Sequence, residues 1–336
     1  MTRTGDLLVK ETLPMRIPPR KHVIDLDDFL VEELEQVLNV TDAMKEILGR
    51  DIKKAPSLRG KTVITLFYQP STRTRVSFEQ AAKILNADVI NVSAGASSVA
   101  KGESLLNTFQ TLQALAADVI VVRHPHAGVP NMLARELERV GIINAGDGMH
   151  AHPTQALVDL YTLRNHLGSL TGKKIVILGD IIHSRVARSN VWGLVKMGAK
   201  VTLCGPPSFL PISEAFTQIG GDSPGEPQVS IETSVEASLD GADAVMALRV
   251  QSENHSRRGM VNIREYARLY QLNEYRLELA NPNAIVMHPG PVQEGIEISA
   301  AVASGVQSVI TEQVTNGVAV RMALLYLSII GNESAT

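Results

Sequence analysis

Residues 61–80 read KTVITLFYQPSTRTRVSFEQ. The first eight are rich in β-branched and aromatic residues, as a buried strand requires, and Gln69-Pro70 ends the run. From Val76 the segment VSFEQAAKILN has helical spacing. Between strand and helix stand Ser71, Thr72, Arg73, Thr74 and Arg75, so hydroxyls and guanidinium groups gather at a helix N-terminus. Such an end carries the positive pole of the helix dipole and unsatisfied backbone N–H groups, which makes it an anion site. Hydroxyl donors and a planar arginine fork suit the oxygens of a phosphate. The plainer alternative is a capped helix with surface arginines. Two arginines flanking Thr74 directly after a buried strand favour the phosphate, because charge is concentrated where solvent is scarce.

Working outward, the same alternation repeats. ADVINVS, DVIVVRH and GIINAG read as further strands, with QAAKILN, LLNTFQTLQALAA and NMLARELERV as helices between them. A helical pattern over residues 154–166 leads into a second set of strands, KKIVILGD, AKVTLCGP, DAVMALRV and NAIVMHPG. Ahead of the first strand, Leu30, Leu34, Val37, Leu38 and Met44 recur at helical spacing. Strands alternating with helices predict an α/β fold, a mostly parallel sheet flanked by helices in each of two domains, with a boundary near residue 150. At about 150 residues per domain, a chain of 336 residues suits two domains.

Composition removes several classes of function. Hydrophobic residues make up 44% and charged residues 20%, which is ordinary for a globular chain. A formal net charge of -3 lacks the Lys/Arg excess that a general nucleic-acid binder needs. The single cysteine, Cys204, follows the apolar strand pattern and reads as core packing, not as a nucleophile. The first residues hold no apolar stretch of secretory length, and nowhere do ~18 consecutive apolar residues occur, so no membrane span is expected and the cytoplasm is the default. Residues 318–330 are apolar enough for a long buried helix, with Arg321 inside it.

Other chemistry-bearing residues fall at the ends of predicted strands, where α/β sheets deliver their ligand loops. Arg123-His124-Pro125 closes one strand, and His152-Pro153-Thr154-Gln155 opens a helix after the glycine-rich NAGDGMHA. Arg185 lies just beyond ILGD, while Arg249 and Gln251 lie at the end of DAVMALRV. Two arginines can hold two carboxylates. After Gly179 come Asp180, Ile181, Ile182, His183 and Ser184, so the fingerprint G-x-G-x-x-G is missing and a dinucleotide is not expected. The polar segment from Ser97 through Lys101 to Glu103 reads, alone, as a solvated loop.

Ser71-Thr72-Arg73-Thr74-Arg75 resembles the carbamoyl phosphate motif shared by the aspartate and ornithine carbamoyltransferases, and Arg123-His124-Pro125 and His152-Pro153-Thr154-Gln155 resemble that family's RHP and HPTQ motifs. Ser97 and Lys101 match the loop through which one subunit of the family enters its neighbour's site. Arg249-Val250-Gln251 matches the aspartate branch, and His288-Pro289-Gly290-Pro291 resembles its HPxP turn, where the ornithine branch has a cysteine. Ornithine carries a cationic side chain that Arg185 and Arg249 would repel. The resemblance runs from about Lys21 to the C-terminal helix. It departs at Gln293-Glu294-Gly295, where the family has Asn-Arg-Gly, and at Ser252-Glu253-Asn254, where Glu-Arg is frequent; Arg257 and Arg258 are the nearest guanidinium groups in sequence.

The resemblance implies an extension over residues 1–20, a carbamoyl phosphate domain over 21–150, an aspartate domain over 151–305 and a C-terminal helix over 306–336 packing back on the first domain, with the active site in the interdomain cleft. It implies transfer of the carbamoyl group to L-aspartate, an early step of pyrimidine synthesis, with no metal or organic cofactor. Ser71, Thr72, Arg73, Thr74, Ser97, Arg123, His152, Gln155, Gly290 and Pro291 would hold carbamoyl phosphate. Lys101, Arg185, Arg249 and Gln251 would hold aspartate. His152, Arg73, Thr74, Arg123 and Lys101 would carry the chemistry in a homotrimer with shared sites. Two alternatives stay open: carbamoyl transfer to another amine such as ornithine, and a silent homologue acting through assembly. Association with a regulatory chain or a dihydroorotase is also open.

Overall fold

The structure, a computed structural model, describes residues 17–93, 104–211, 228–250 and 262–334. Two compact units divide the chain: the first runs to Val158 and resumes at Thr315, and the second is Asp159–Val314. Both breaks fall inside helices, Pro153–Leu167 and Ile310–Ser334.

The first unit opens with α1 (Val31–Leu48), whose Leu34, Val37, Leu38 and Met44 are buried at the spacing of one helix face. The Glu33 carboxylate accepts the Leu30 N–H at 2.7 Å, which satisfies one of the donors that a helix start leaves open. Next come β1 (Thr62–Phe67), α2 (Thr72–Ile84), β2 (Asp88–Ser93), α3 (Leu105–Ala114), β3 (Val119–His124), α4 (Val129–Glu136), β4 (Gly141–Asp147) and α5 (Pro153–Leu167). The sheet runs β2-β1-β3-β4 with every pair parallel. Parallel sheets are covered on both faces, which is why β1 and β4 read as continuous apolar runs and not as alternating ones. Phe109, fully buried among Leu66, Ile120, Val122 and Leu133, anchors this core; such a ring is worth about 3–5 kcal/mol against alanine.

The helix expected over NMLARELERV stops early. Leu137 turns extended after Glu136, so that Leu137 and Val140 enter the core beside Leu133 and Ile142. Burial of two apolar side chains outweighs the helical propensity of the intervening Glu138 and Arg139.

Residues 22–24 lie against β4, where Val23 bridges Ile143 and the Ile142 N–H donates to His22 Nδ1 at 3.2 Å. Burial, aided by the charge of Lys21, lowers the His22 pKa from its ordinary 6.5 to about 4. The folded state therefore prefers neutral His22, while the unfolded chain takes up a proton near pH 6.5. Stability from this group is complete above that pH and is lost as pH falls toward 4. We expect His22→Asn, which keeps an acceptor for the Ile142 N–H, to lose less stability than wild type between pH 7 and 4.5. Parallel denaturation curves for the two proteins across that window would refute this.

The second unit holds β5 (Lys174–Leu178), α6 (Arg185–Lys196), β6 (Lys200–Cys204), β7 (Val229–Glu232), α7 (Val235–Leu239), β8 (Ala244–Ala247), α8 (Ile263–Tyr270), α9 (Glu274–Leu277), β9 (Ile285–Met287) and α10 (Ala300–Ala303). Its sheet is again parallel, in the order β7-β6-β5-β8-β9. Strand β7 was not expected from the sequence; it is a four-residue edge strand paired to β6 alone. Cys204 is buried in the core with Val176, Leu239 and Val245, and burial pushes its thiol pKa up to about 11.

The last helix is α11 (Ile310–Ser334). It is long and apolar enough to cross a membrane by composition, yet residues 319–329 are buried in protein. Within the first unit its C-terminal part is held by Ser328 Oγ donating to the Lys21 carbonyl at 2.5 Å, by an ion pair of Glu333 with Lys61 at 2.8 Å, and by the Arg321 guanidinium over the Phe78 ring.

Candidate active site

In the first unit, β1 and β3 are neighbours whose onward connections leave toward opposite edges of the sheet. Loops at the carboxyl ends of two such strands diverge and leave a crevice, the place where open α/β sheets bind ligands. Ser71 to Thr74 follow β1, and Arg123 sits opposite Phe67 in the β1–β3 ladder. The Tyr68 N–H donates to the Arg123 carbonyl at 2.8 Å and carries the pairing one step further toward the crevice.

Helix α2 begins without a side-chain cap. Ser71 Oγ donates to Thr74 Oγ1 at 2.9 Å and makes no side-chain cap bond to the first turn, whereas Ser104 and Ser184 each cap their helices by accepting from the third residue beyond. The first turn of α2 is thus not closed by its own cap residue, as an anion-binding helix start requires. Thr74 is buried and Arg73 is exposed. Desolvation lowers the guanidinium pKa of Arg73, although the residue as a whole is exposed.

The turn before α5 is fixed by Asp147. This buried carboxylate accepts from Asn144 Nδ2 at 2.9 Å, the Gly128 N–H at 2.7 Å, the Ala151 N–H at 3.1 Å and His150 Nδ1 at 3.1 Å. Burial alone would raise its pKa; the donors, His150 foremost, outweigh burial and hold it below the usual range. Gly148 is needed in the same turn, since at φ +51° a Cβ would lie 3.0 Å from the Pro125 oxygen and the Ala127 nitrogen. The loops after β3 and β4 can therefore approach closely, and the approach brings Arg123 to His152. Arg123 Nη1 donates to the Ala145 carbonyl at 3.0 Å and stands 3.5 Å from His152 Nε2, while His152 Nδ1 is 3.4 Å from Thr154 Oγ1. His152 and Gln155 are both buried. Arg123, His152 and Gln155 thus share one region, and Ser71 and Thr74 share another on the adjoining strand.

The second unit has its own switch point, between β5 and β8. Gly179 ends β5 at φ +136°, where a Cβ would lie 3.1 Å from both the Leu248 Cβ and the Leu248 oxygen. Only glycine lets these two strand ends pass so closely. Arg185 is the first residue of α6 and Arg249 follows β8 by two positions; both are half-buried. After β9, Gly290 and Pro291 form a cis peptide, and the Gly290 N–H donates to His288 Nδ1 at 2.7 Å. The fully buried His288 faces Glu297 Oε1 through Nε2 at 3.1 Å, and its own N–H donates to Gln313 Oε1 at 2.9 Å. Sequence reading missed Glu297 and Gln313, which no local motif marks. Ser97, Lys101, Gln251, Ser252, Glu253, Asn254, Arg257 and Arg258 lie outside the described residues. Gln293, at one departure from the family pattern, donates its N–H to Glu297 Oε1 at 2.6 Å.

Comparison with known proteins gives this geometry its context. Residues 21–165 match the family described as aspartate/ornithine carbamoyltransferase, carbamoyl-P binding domain, and residues 171–328 match its Asp/Orn binding domain. The chain is 55% identical over 307 residues to an aspartate carbamoyltransferase catalytic subunit of Dehalococcoides mccartyi, with 91% of each chain covered. It is also 55% identical over 313 residues to one from Desulforudis audaxviator, covering 93% of this chain and 99% of that one. Among solved structures it is similar to the catalytic subunit of M. jannaschii aspartate transcarbamoylase, with a TM-score of 0.80 at 34% identity, covering 93% of this chain and 99% of that one. The Trypanosoma cruzi aspartate transcarbamoylase in complex with carbamoyl phosphate and aspartate superposes with a TM-score of 0.78 at 25% identity, covering 94% and 98%. An ornithine carbamoyltransferase from Pyrococcus furiosus superposes as well, with a TM-score of 0.80 at 27% identity, covering 92% and 97%.

Proposed function

The chain belongs to the aspartate/ornithine carbamoyltransferase family, and on that premise we propose that it transfers the carbamoyl group of carbamoyl phosphate to the amine of L-aspartate. N-carbamoyl-L-aspartate and phosphate are the products. The observation that carries the choice of aspartate is the pair of half-buried arginines, Arg185 and Arg249, beside the β5–β8 switch point. Two guanidinium groups match two carboxylates and repel the ammonium of ornithine. Likeness of fold does not separate the branches, since aspartate and ornithine enzymes superpose equally well.

In this reading the phosphate rests on the uncapped start of α2, held by Ser71, Thr72, Arg73 and Thr74, with Ser97 and Lys101 supplied by a neighbouring subunit. The aspartate amine attacks the carbamoyl carbon, the bond from that carbon to the phosphate oxygen breaks, and the departing phosphate takes the amine's proton. Negative charge that develops on the carbamoyl oxygen is met by donors from Thr74, Arg123 and His152; Arg123 and His152 stand 3.5 Å apart, and Thr74 follows β1, the strand that pairs with β3. Gln155 and the Gly290 and Pro291 carbonyls accept from the carbamoyl NH2 and the amine, while Arg185, Arg249 and Gln251 hold the substrate carboxylates. Arg73 offsets charge on the leaving phosphate. Positioning and electrostatics suffice, and the reading assigns no metal or organic cofactor. Homotrimeric assembly, a cytoplasmic location and a place in pyrimidine synthesis belong to the same proposal.

The test is an amine panel with carbamoyl phosphate. L-aspartate should be carbamoylated and L-ornithine should not; turnover of ornithine with none of aspartate would reverse the assignment.

A further inference from the structure

A chain of buried hydrogen bonds in the second unit joins α6, which Arg185 begins, to the turn that carries Gly290 and Pro291. Asn190, five residues along α6 from Arg185, donates through Nδ2 to Asp159 Oδ2 at 2.8 Å. Gln313 Nε2 donates to the other oxygen, Asp159 Oδ1, at 2.9 Å. Gln313 Oε1 then accepts the His288 N–H at 2.9 Å. His288 Nδ1 accepts from the Gly290 N–H, which leaves the ring proton on Nε2, directed at Glu297 Oε1. Glu297 Oε1 also takes the Gln293 N–H and so closes the far side of the turn. Asn190, Asp159, Gln313, His288 and Glu297 are at most 3% exposed, although polar groups of this size are rarely buried without a role that keeps them there.

We infer that this relay is a positioning device for the transfer reaction, with Gln313 as the joint that sets its polarity. The inference rests on the aspartate reading above. Gln313 donates through Nε2 in one direction and accepts through Oε1 in the other, so it links an acceptor-only carboxylate to a donor-only backbone N–H. No ionised Asp or Glu, and no Lys or Arg, can make both bonds. The relay fixes the helix whose first residue binds a substrate carboxylate relative to the turn whose carbonyls accept from the amine. An error in that spacing misplaces the nucleophile without touching the phosphate site, and misplacement of about 1 Å can cost on the order of 100-fold in rate.

The polarity can be reversed on purpose. Gln313→Glu sets two carboxylates against each other in a buried site, where like charges cannot both ionise without strain. Adding Asp159→Asn restores the pattern, because the new carboxamide at 159 donates to position 313 and still accepts from Asn190. We expect Gln313→Glu to lower kcat about 10- to 100-fold, with a smaller loss of carbamoyl phosphate affinity because Gly290 and Pro291 also meet its carbamoyl group, and the double variant to regain most of both. A single variant that keeps wild-type kcat, or a double variant no faster than the single, would overturn the inference. Should Gln313→Glu fail to fold, Glu297→Leu replaces it, because it removes the one oxygen that accepts from both His288 and Gln293: a fall in kcat larger than any loss of carbamoyl phosphate affinity supports the relay, and wild-type kcat overturns it. Recovery of melting temperature without recovery of kcat would make the relay structural only. If wild type itself fails to carbamoylate aspartate, the reading of function fails instead, and that result is visible before any variant is made.

Discussion

His152→Ala is expected to lower kcat by ~100-fold or more, much more than it weakens the binding of carbamoyl phosphate. His152 is buried beside Arg123, at the start of α5, where Asp147 holds the preceding turn by four donors. The phosphate itself is assigned to the first turn of α2 on the neighbouring strand, so removal of the imidazole deletes a donor to the developing oxyanion and no contact to the phosphate. A loss confined to transition-state stabilisation falls on kcat and on kcat/KM alike. Steady-state kinetics beside direct binding of carbamoyl phosphate decides the matter. An unchanged kcat removes His152 from the mechanism; an equal loss in binding makes it a phosphate ligand. His152→Asn, which keeps a donor, should recover part of the loss.

The parts of this molecule that were legible in its sequence are those that repeat a local period. Among the described residues, eight of the nine strands stand where short β-rich runs stand, since a parallel sheet buried on both faces needs continuous apolar segments. Strand β7 escaped because four residues, Val229 to Glu232, are too short for a period to emerge and only pairing with β6 makes them a strand. The division between the compact units is not legible in the sequence for a related reason. The division follows Val158, inside α5, and nothing in a helix's own periodicity changes where its contacts change.

The candidate site divides in the same way. Ser71, Thr74, Arg123 and His152 were visible because each lies at the end of a strand or the start of a helix, positions that the chain order alone assigns to the ligand side of an α/β sheet. Glu297, Gln313 and Asp159 were not. Gln313 and Asp159 are 154 residues apart, and each looks by itself like a solvated helix residue. Their burial follows from how α5, α11 and the turn after β9 pack, which no window of sequence contains.

The largest effect we expect is a return of activity from two inactive proteins. Arg73→Ala should abolish turnover by removing the guanidinium that offsets charge on the departing phosphate, and Lys101→Ala should do so by removing the cation that the neighbouring subunit is proposed to lend. Arg73 belongs to the helix start after β1, whereas Lys101 is assigned to the loop that reaches across, so the two lesions damage opposite sides of one shared site. A trimer with one site per interface then mixes in a countable way. If subunits of the two variants exchange at equal amounts under mild dissociating conditions, an interface is intact when the first chain keeps Arg73 and the second keeps Lys101, which occurs at roughly one in four interfaces. Activity should rise from background toward about a quarter of wild type. Mass spectrometry of the mixed oligomers confirms that exchange took place. Exchange without activity would show that Lys101 serves its own chain, and a chain active as a monomer at high dilution would dispose of the shared site altogether.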